Sequence, residues 1–366
     1  MDYSRLLIMV FVTFLVVVIF IPIVKRIAVH IGAIDIPNKR KVHKTPIPRM
    51  GGIGIYLGFL VGYMLFGSES IRMNAILIGS FIIILTGLID DIKPVPAKYK
   101  ILGQIAAASV IPLYGGIILQ DISAFGIYLN FGSLSTIITI IFIVAIMNCI
   151  NIIDGLDGLS SGIAIIYFLM IGIIGVMFNS VGLDMILTFI MLGATLGFWV
   201  YNFNPASIFM GDSGSLFLGY IISVIALLGY KNVTFTSLIV PIFLLAIPIM
   251  DTLFAIIRRL LKHESIAMPD KSHLHHQLLK LNFSVKKTVV IIYLVDILFA
   301  MASINYIFGE RLSGYIIYTI LFIIVAVFIL KTDVITDKKI KEKKNKNNKR
   351  KINGSKIRKI RSRRFY

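Results

Sequence analysis

Four polar side chains recur at every third position of the stretch NCINIIDGLDG: Asn148, Asn151, Asp154 and Asp157. They close a run of apolar residues long enough to cross a bilayer, where polar groups are expensive. A step of three along an α-helix falls about 60° short of a full turn. Asn148, Asn151 and Asp154 therefore fan over one side of a helix and can converge on a single ligand. Gly155 and Gly158 permit a sharp exit and close backbone approach to a bound group. A polar helix end with an Asp cap is the plain alternative, but one aspartate would serve that purpose.

Four more clusters carry chemistry. Asp90 and Asp91 end an apolar run and are followed by Lys93, Lys98, Lys100 and Gln104. Adjacent carboxylates repel, so a lysine or Mg²⁺ must offset them; Mg²⁺ takes one or two carboxylates plus phosphate oxygens. One of the pair could instead act as a general base, its pKa raised by its neighbour. An interfacial helix end with charges reaching water stays open for this pair. In FNPASIFMGDSGSLFLG, Asp212 sits between Gly211 and Gly214 at the start of an apolar run. A helix start presents free N–H groups suited to phosphate, with Asp212 as a metal ligand beside it; an ordinary N-cap is the alternative.

PDKSHLHHQLL brings His273, His275 and His276 near Arg258, Arg259, Lys262 and Lys271, an anion-binding composition. Zinc is the competing reading; its nearest carboxylates in sequence are Glu264 and Asp270, and the spacing is unlike common zinc sites. The first loop, DIPNKRKVHKTPIPRMGG, is basic and stiffened by Pro37, Pro46 and Pro48. Its Gly51-Gly52 helix entry behind Arg49 would suit a phosphate or a lipid headgroup. Carboxylates for a metal, cations for phosphates and glycines for close approach together suit phosphoryl transfer.

The elements that must position these residues are helices. The 366-residue chain is 57% hydrophobic and 15% charged, against about 25% charged in a soluble domain. It reads as an all-α polytopic integral membrane protein. About eleven spans are predicted, at 3–24, 50–66, 73–89, 101–119, 134–152, 159–178, 183–201, 214–230, 236–257, 288–308 and 312–330. Ten is the alternative, since 101–119 holds Pro112 and Gly115-Gly116. The first run is too long for a signal-peptide core and reads as a retained helix. Cys149 stands alone, which excludes an internal disulfide and a cysteine metal cluster.

Two units follow: a membrane domain over 1–330 and a basic tail over 331–366, expected to be disordered, with 16 of the 37 Lys and Arg. Apart from the tail, loops on one side carry 17 basic residues and those on the other carry four. The positive-inside rule makes the first side cytoplasmic, with the N-terminus outside. All five polar clusters fall on that cytoplasmic side, which is where the active site is expected. The tail suits anionic lipid headgroups; it lacks the interleaved aromatics of a nucleic-acid binder, so no nucleic acid is expected.

The motifs DDIKPVPAKYKILGQ, NCINIIDGLDGLSSG, FNPASIFMGDSGSLFLG and PDKSHLHHQLL, in that order, resemble the signatures of the polyprenyl-phosphate N-acetylhexosamine-1-phosphate transferases. The resemblance runs from Asp35 to Leu279. PNKRKVHKTPIPRMGGI and PDKSHLHHQLL are most similar to the bacterial branch that moves N-acetylglucosamine 1-phosphate from UDP-N-acetylglucosamine to undecaprenyl phosphate. The branch using UDP-MurNAc-pentapeptide is the alternative, but His273-Leu-His275-His276 departs from its run of histidines.

The resemblance implies a bacterial plasma-membrane enzyme that needs Mg²⁺, with Mn²⁺ as a substitute. It implies Asp212 as a metal ligand, Asn151 sharing the metal, and Asp90 and Asp91 as an essential pair that binds metal or deprotonates the lipid phosphate. Asp154, Gly155, Leu156 and Asp157 would line the nucleoside pocket, and Asn202 and Phe209 would meet uracil. Arg259, His273, His275 and His276 would touch sugar or diphosphate; Asn148, Lys100 and Arg49 complete the expected substrate-binding set. A transporter or lipid scramblase is the reading from another class; it would need ionisable groups within the spans, and Asp296 is the notable one. Whether the protein forms a homodimer is open.

Overall fold

The computed structural model describes residues 3–37, 43–124, 127–231, 238–261, 263 and 273–331. The expected tail beyond Lys331, and the expected anion-binding residues Lys262 and Lys271 with the zinc alternatives Glu264 and Asp270, lie outside the described residues.

Apolar runs become helices because the backbone of a spanning segment must satisfy its own N–H and C=O groups. In chain order the elements are α1 (Tyr3–His30), β1 (Ile34–Asp35), β2 (Ile47–Pro48), α2 (Gly51–Phe66), α3 (Ile71–Ile92), α4 (Ala97–Leu113), β3 (Asp121–Ala124), β4 (Ile127–Asn130), α5 (Ser135–Ile153), α6 (Leu159–Met177), α7 (Leu183–Asn202), α8 (Gly211–Lys231), α9 (Ile239–Leu244), α10 (Ala246–Leu261), α11 (Leu274–Lys280), α12 (Val285–Phe308) and α13 (Arg311–Lys331). The protein is all-α in character and polytopic: among the described residues eight helices are long and apolar enough to cross a membrane. They are α1, α3, α5 with its short lead-in, α6, α7, most of α8, α12 and α13.

The other three expected spans differ from expectation in form. Residues 50–66 form a 16-residue helix, α2. The 101–119 segment is helical only to Leu113; Pro112 and the Gly115-Gly116 turn, with Gly116 at φ +61°, stop it. The 236–257 segment is broken at Leu245 into α9 and α10. Pro248 has no N–H for the Leu244 carbonyl and its ring crowds that group, so the helix restarts there.

Helix α8 is the hub, packing on α2, α3, α5, α6 and α7, with 89% of its apolar window buried. The corresponding share is 28% for α1 and 22% for α13. On α1 the buried residues Met9, Thr13, Val17, Ile21, Val24 and Ala28 make one stripe, while Leu7, Phe11 and Ile19 on the other side are apolar and exposed. A helix apolar on all sides with one side outward suits lipid.

Two glycines let the hub approach its neighbours at one end. A Cβ on Gly52 would lie 2.1 Å from the Gly214 backbone nitrogen, and one on Gly87 would lie 2.4 Å from Ser213 Cα. Helices α2 and α3 thus meet the start of α8 backbone to backbone. The chain before α2 is held on both edges. Arg49 N–H donates to Ala33, Phe209 N–H donates to Pro48, and Gly51 and Gly52 N–H groups donate to Phe209 and Met210.

Candidate active site

The start of α8, the end of α5, His276 of α11 and the loops at 33–51, 154–158 and 203–210 enclose a cavity of about 390 Å³; the expected residues Asp90, Asp91 and Lys100 are not on its wall. Its wall carries Arg49, Asn151, Asp154, Asp157, Phe209 and Asp212, with Gly155, Leu156 and His276 completing the expected set. Asp90, Asn151 and Asp212, expected from three distant motifs, do meet. Lys100 contacts the Asp212 carboxylate and stands 3.2 Å from Asp90 Oδ2. Asn151 donates to Ser215 Oγ at 2.8 Å and is also in hydrogen-bond contact with Asp212.

The two neighbouring aspartates differ in their surroundings. Asp91 has a fully buried side chain. Its Oδ1 accepts from Arg49 Nη2 at 3.0 Å, Arg49 Nε at 3.2 Å and the Asp212 N–H at 2.8 Å. Its Oδ2 accepts from the Ser213 N–H at 3.1 Å and Ser213 Oγ at 2.6 Å. Asp90 is held more loosely, with Val95 N–H on Oδ1 and the cations Lys100 and Arg49 near Oδ2. The arrangement makes Asp91 an anchor and leaves Asp90 and Asp212 as the carboxylates beside Lys100.

Both helix starts expected to cradle phosphate are already engaged. The Asp212 and Ser213 N–H groups serve Asp91, and the Gly51 and Gly52 N–H groups serve the carbonyls of Phe209 and Met210. These four N–H groups are therefore not offered to a phosphate in the cavity.

Several other expected contacts are placed differently. Asn148 pairs with Gln104 between α5 and α4, its Nδ2 at 2.6 Å from Gln104 Oε1, and does not line the cavity. Its face of α5 meets another helix, which a period of three in sequence cannot reveal. Asn202 is 3% exposed and also off the cavity wall. It accepts from Gly158 N–H and Ser161 Oγ and donates to the Ile208 carbonyl, so it fixes the loops rather than facing uracil. Arg259, on α10, does not line the cavity. His273 and His275 are buried behind it; only His276 of the three is on its wall. Asp157 lines the cavity while accepting from Asn204 Nδ2 and Ala206 N–H.

Sequence reasoning missed Asp35, His43 and Asp251. Asp35 and His43 line the cavity; His43 Nε2 is 3.5 Å from Asp35 and its ring is edge-on to Phe209 at 5.2 Å. Both lie inside the basic first-loop motif, where the lysines and arginines drew the reading.

Burial sets two protonation states. Asp154, hydrogen-bonded by Ser160 Oγ, is pushed up to about 7, chiefly by desolvation. His275 is pushed down to about 3, by burial first and by the charge of His276 second. His275 is therefore a neutral imidazole near neutral pH.

The donor set is oxygen-rich: Asp90 and Asp212 carboxylates beside the Asn151 amide. Among the described residues no three His, Cys, Asp or Glu side chains form a ready metal cage. Mg²⁺ requires none, because one or two carboxylates plus substrate phosphates suffice. The chemistry of the donors thus fits Mg²⁺ better than zinc.

Comparison with known proteins identifies the family. Residues 73–230 match the family described as Glycosyl transferase family 4. The chain is 41% identical over 304 residues to the probable undecaprenyl-phosphate N-acetylglucosaminyl 1-phosphate transferase of Bacillus subtilis (strain 168), covering 82% of this chain and 84% of that one. It is 34% identical over 303 residues to the decaprenyl-phosphate N-acetylglucosaminephosphotransferase of Mycobacterium tuberculosis (strain ATCC 25618 / H37Rv), covering 74% and 75%. It is 27% identical over 298 residues to the undecaprenyl-phosphate alpha-N-acetylglucosaminyl 1-phosphate transferase of Escherichia coli (strain K12), covering 80% and 81%.

Two expected outcomes follow from the site's geometry. Asp91→Asn lowers the melting temperature of the detergent-solubilised protein, because Arg49 loses its buried counter-charge. Asp90→Asn leaves melting near the parent value but cuts turnover at least about a hundredfold. Equal melting of both variants would remove the anchor assignment. For His275, the folded pKa lies below the unfolded value of about 6.5, so the unfolded chain binds more protons between the two. Stability is intact above pH of about 6.5 and is lost as pH falls towards the folded value. Thermal melts from pH 7 to pH 4.5 should show this slope, flattened in His275→Gln; an unchanged slope would contradict it.

Proposed function

This chain belongs to glycosyl transferase family 4, and from that membership we propose its reaction: transfer of N-acetylglucosamine 1-phosphate from UDP-N-acetylglucosamine to undecaprenyl phosphate. The products are undecaprenyl-diphospho-N-acetylglucosamine and UMP, so the enzyme performs the first membrane step towards a cell-envelope glycopolymer. The relatives' names support N-acetylglucosamine over the MurNAc-pentapeptide donor. One observation carries the reading: Asp154, Asp157, Asp212, Asn151 and Arg49 line a single cavity at the ends of membrane helices, and Lys100 joins Asp212 to Asp90 beside it.

In this reading the lipid phosphate oxygen attacks the β-phosphorus of the donor. A new P–O bond forms there, the bond from β-phosphorus to the bridging oxygen breaks, and UMP leaves with that oxygen. Asp212 and Asn151, with Asp90, would hold Mg²⁺, which supplies charge neutralisation on the diphosphate when bound. Asp90, beside Lys100, would accept the proton of the lipid phosphate. Lys100, now between Asp90 and Asp212, turns to phosphate oxygens as substrate enters. The segment Asp154–Asp157 holds the nucleoside, and Phe209, whose ring meets His43, offers a face for uracil. The apolar outer faces of the helices suit a long prenyl chain.

The cavity side is the cytoplasmic one, because nucleotide sugars are made there and the basic loops lie on that side. The N-terminus then faces outward, and the basic tail lies against the inner leaflet and its anionic lipids.

Membranes containing the protein, incubated with labelled UDP-N-acetylglucosamine, undecaprenyl phosphate and Mg²⁺, should yield UMP and a lipid-linked sugar. Chelation of Mg²⁺ should stop the reaction and added Mg²⁺ restore it; Asp212→Asn should lower the rate by at least about a thousandfold. Full activity in Asp212→Asn would sink the metal assignment. Trapping a labelled phospho-enzyme with nucleotide sugar alone would refute direct attack.

A further inference from the structure

Asp251 is 2% exposed, within α10 and away from the cavity wall. Both its carboxylate oxygens are committed to one short segment. Oδ1 accepts from the Leu274 N–H at 2.7 Å, and Oδ2 lies 2.9 Å from His273 Nδ1. Hydrogen bonds to a buried carboxylate offset its desolvation, and bonds to an ionised acceptor are the stronger kind. Asp251 thus serves as an N-cap supplied from another helix to α11.

Helix α11 has seven residues, too few to hold its own shape or aim. Its direction comes from what it is tied to. Leu274 and Leu278 reach the core, and Asp251 fixes the first turn. From His273 the contacts run towards the cavity. His275 lies parallel to His273, with ring centroids 5.8 Å apart and 3° between planes. The His275 ring packs against Gly155, where a Cβ would lie 2.4 Å from Nε2. His276, with its ring 4.3 Å from that of His275, lines the cavity beside the 154–157 segment.

We propose that Asp251 is a positioning residue: by holding His273 and the first turn of α11, it sets His276 against the nucleotide sugar. The proposal rests on the reaction assigned above. His276 is then the one histidine of the motif that touches substrate, and His273 and His275 are its support.

A double-mutant cycle on the full-length protein in detergent tests this, reading kcat, KM for UDP-N-acetylglucosamine and melting temperature for Asp251→Asn, His276→Ala and the pair. Asp251→Asn keeps an acceptor for Leu274 but presents an amide N–H₂ to His273 Nδ1, so the ring must change tautomer or lose its bond. We expect Asp251→Asn and His276→Ala each to raise KM about tenfold with kcat within about threefold. The double variant should fall within about twofold of His276→Ala, because residues acting through one contact do not add. Losses that multiply, a fall in kcat rather than a rise in KM, or parent kinetics for Asp251→Asn would each overturn it. His273→Ala removes the same bond from the other side; its cycle with His276→Ala carries the same outcomes if Asp251→Asn does not fold. Turnover by the unsubstituted protein in the same assay separates failure of this proposal from failure of the assigned reaction.

Discussion

The burial of the Asp91 carboxylate constrains everything around it. Removing a carboxylate from water costs several kcal/mol unless its oxygens are bound. Here Arg49 grips one oxygen, the Asp212 and Ser213 N–H groups divide between the two, and the Ser213 hydroxyl completes the second. One side chain thereby joins the approach to α2, the end of α3 and the start of α8. It also caps α8 at its positive dipole end. Successive helix residues point about 100° apart, so turning Asp91 into α8 directs Asp90 elsewhere, towards Lys100. Asp90 and Asp212, the carboxylates proposed to act on substrate, are thus set in place by Asp91 and Ser213 next to them in sequence.

Such an anchor works only if the backbones come close enough. Gly52 against Gly214 and Gly87 against Ser213 provide that closeness, and any Cβ there would overlap backbone atoms. Backbones thus meet at one end of the bundle, next to the cavity, while the cavity's loops are tied by Asn202 and Asp157. Residues that looked like ligand contacts are spent on holding the wall in place. That is physically reasonable: a site of convergent charges needs more restraint than an apolar core, because its members repel.

Much of this was legible in the chain itself. Long apolar runs forecast helices because nothing else satisfies a backbone in lipid, and polar clusters at their ends forecast a shared site. What stayed hidden was the division of labour within each cluster. Asn148 and Asn151 are one helical step apart, yet one pairs with Gln104 and the other meets Asp212. Spacing identifies a face, and the face alone does not say whether a helix or a cavity lies opposite. Asp251 carries no local signal, since its partner His273 is 22 positions away. The break at Leu245 was written in Pro248, but an apolar run reads through a proline that the helix cannot ignore.

The charges around the cavity bear on the cation proposed for it. Arg49 is largely committed to Asp91, and Lys100 is divided between Asp90 and Asp212. One lysine therefore faces two carboxylates before any phosphate arrives. Asp154 lessens this load by carrying its proton up to a pH of about 7, since burial disfavours its charged form. A nucleotide diphosphate and a lipid phosphate would add further negative charge to the same space. Of the two described cations beside Asp90 and Asp212, Arg49 is held by Asp91, and moving Lys100 would strip Asp90 and Asp212 of its charge. A divalent cation held, as proposed above, by Asp90, Asn151 and Asp212 would supply the positive charge that both demands call for.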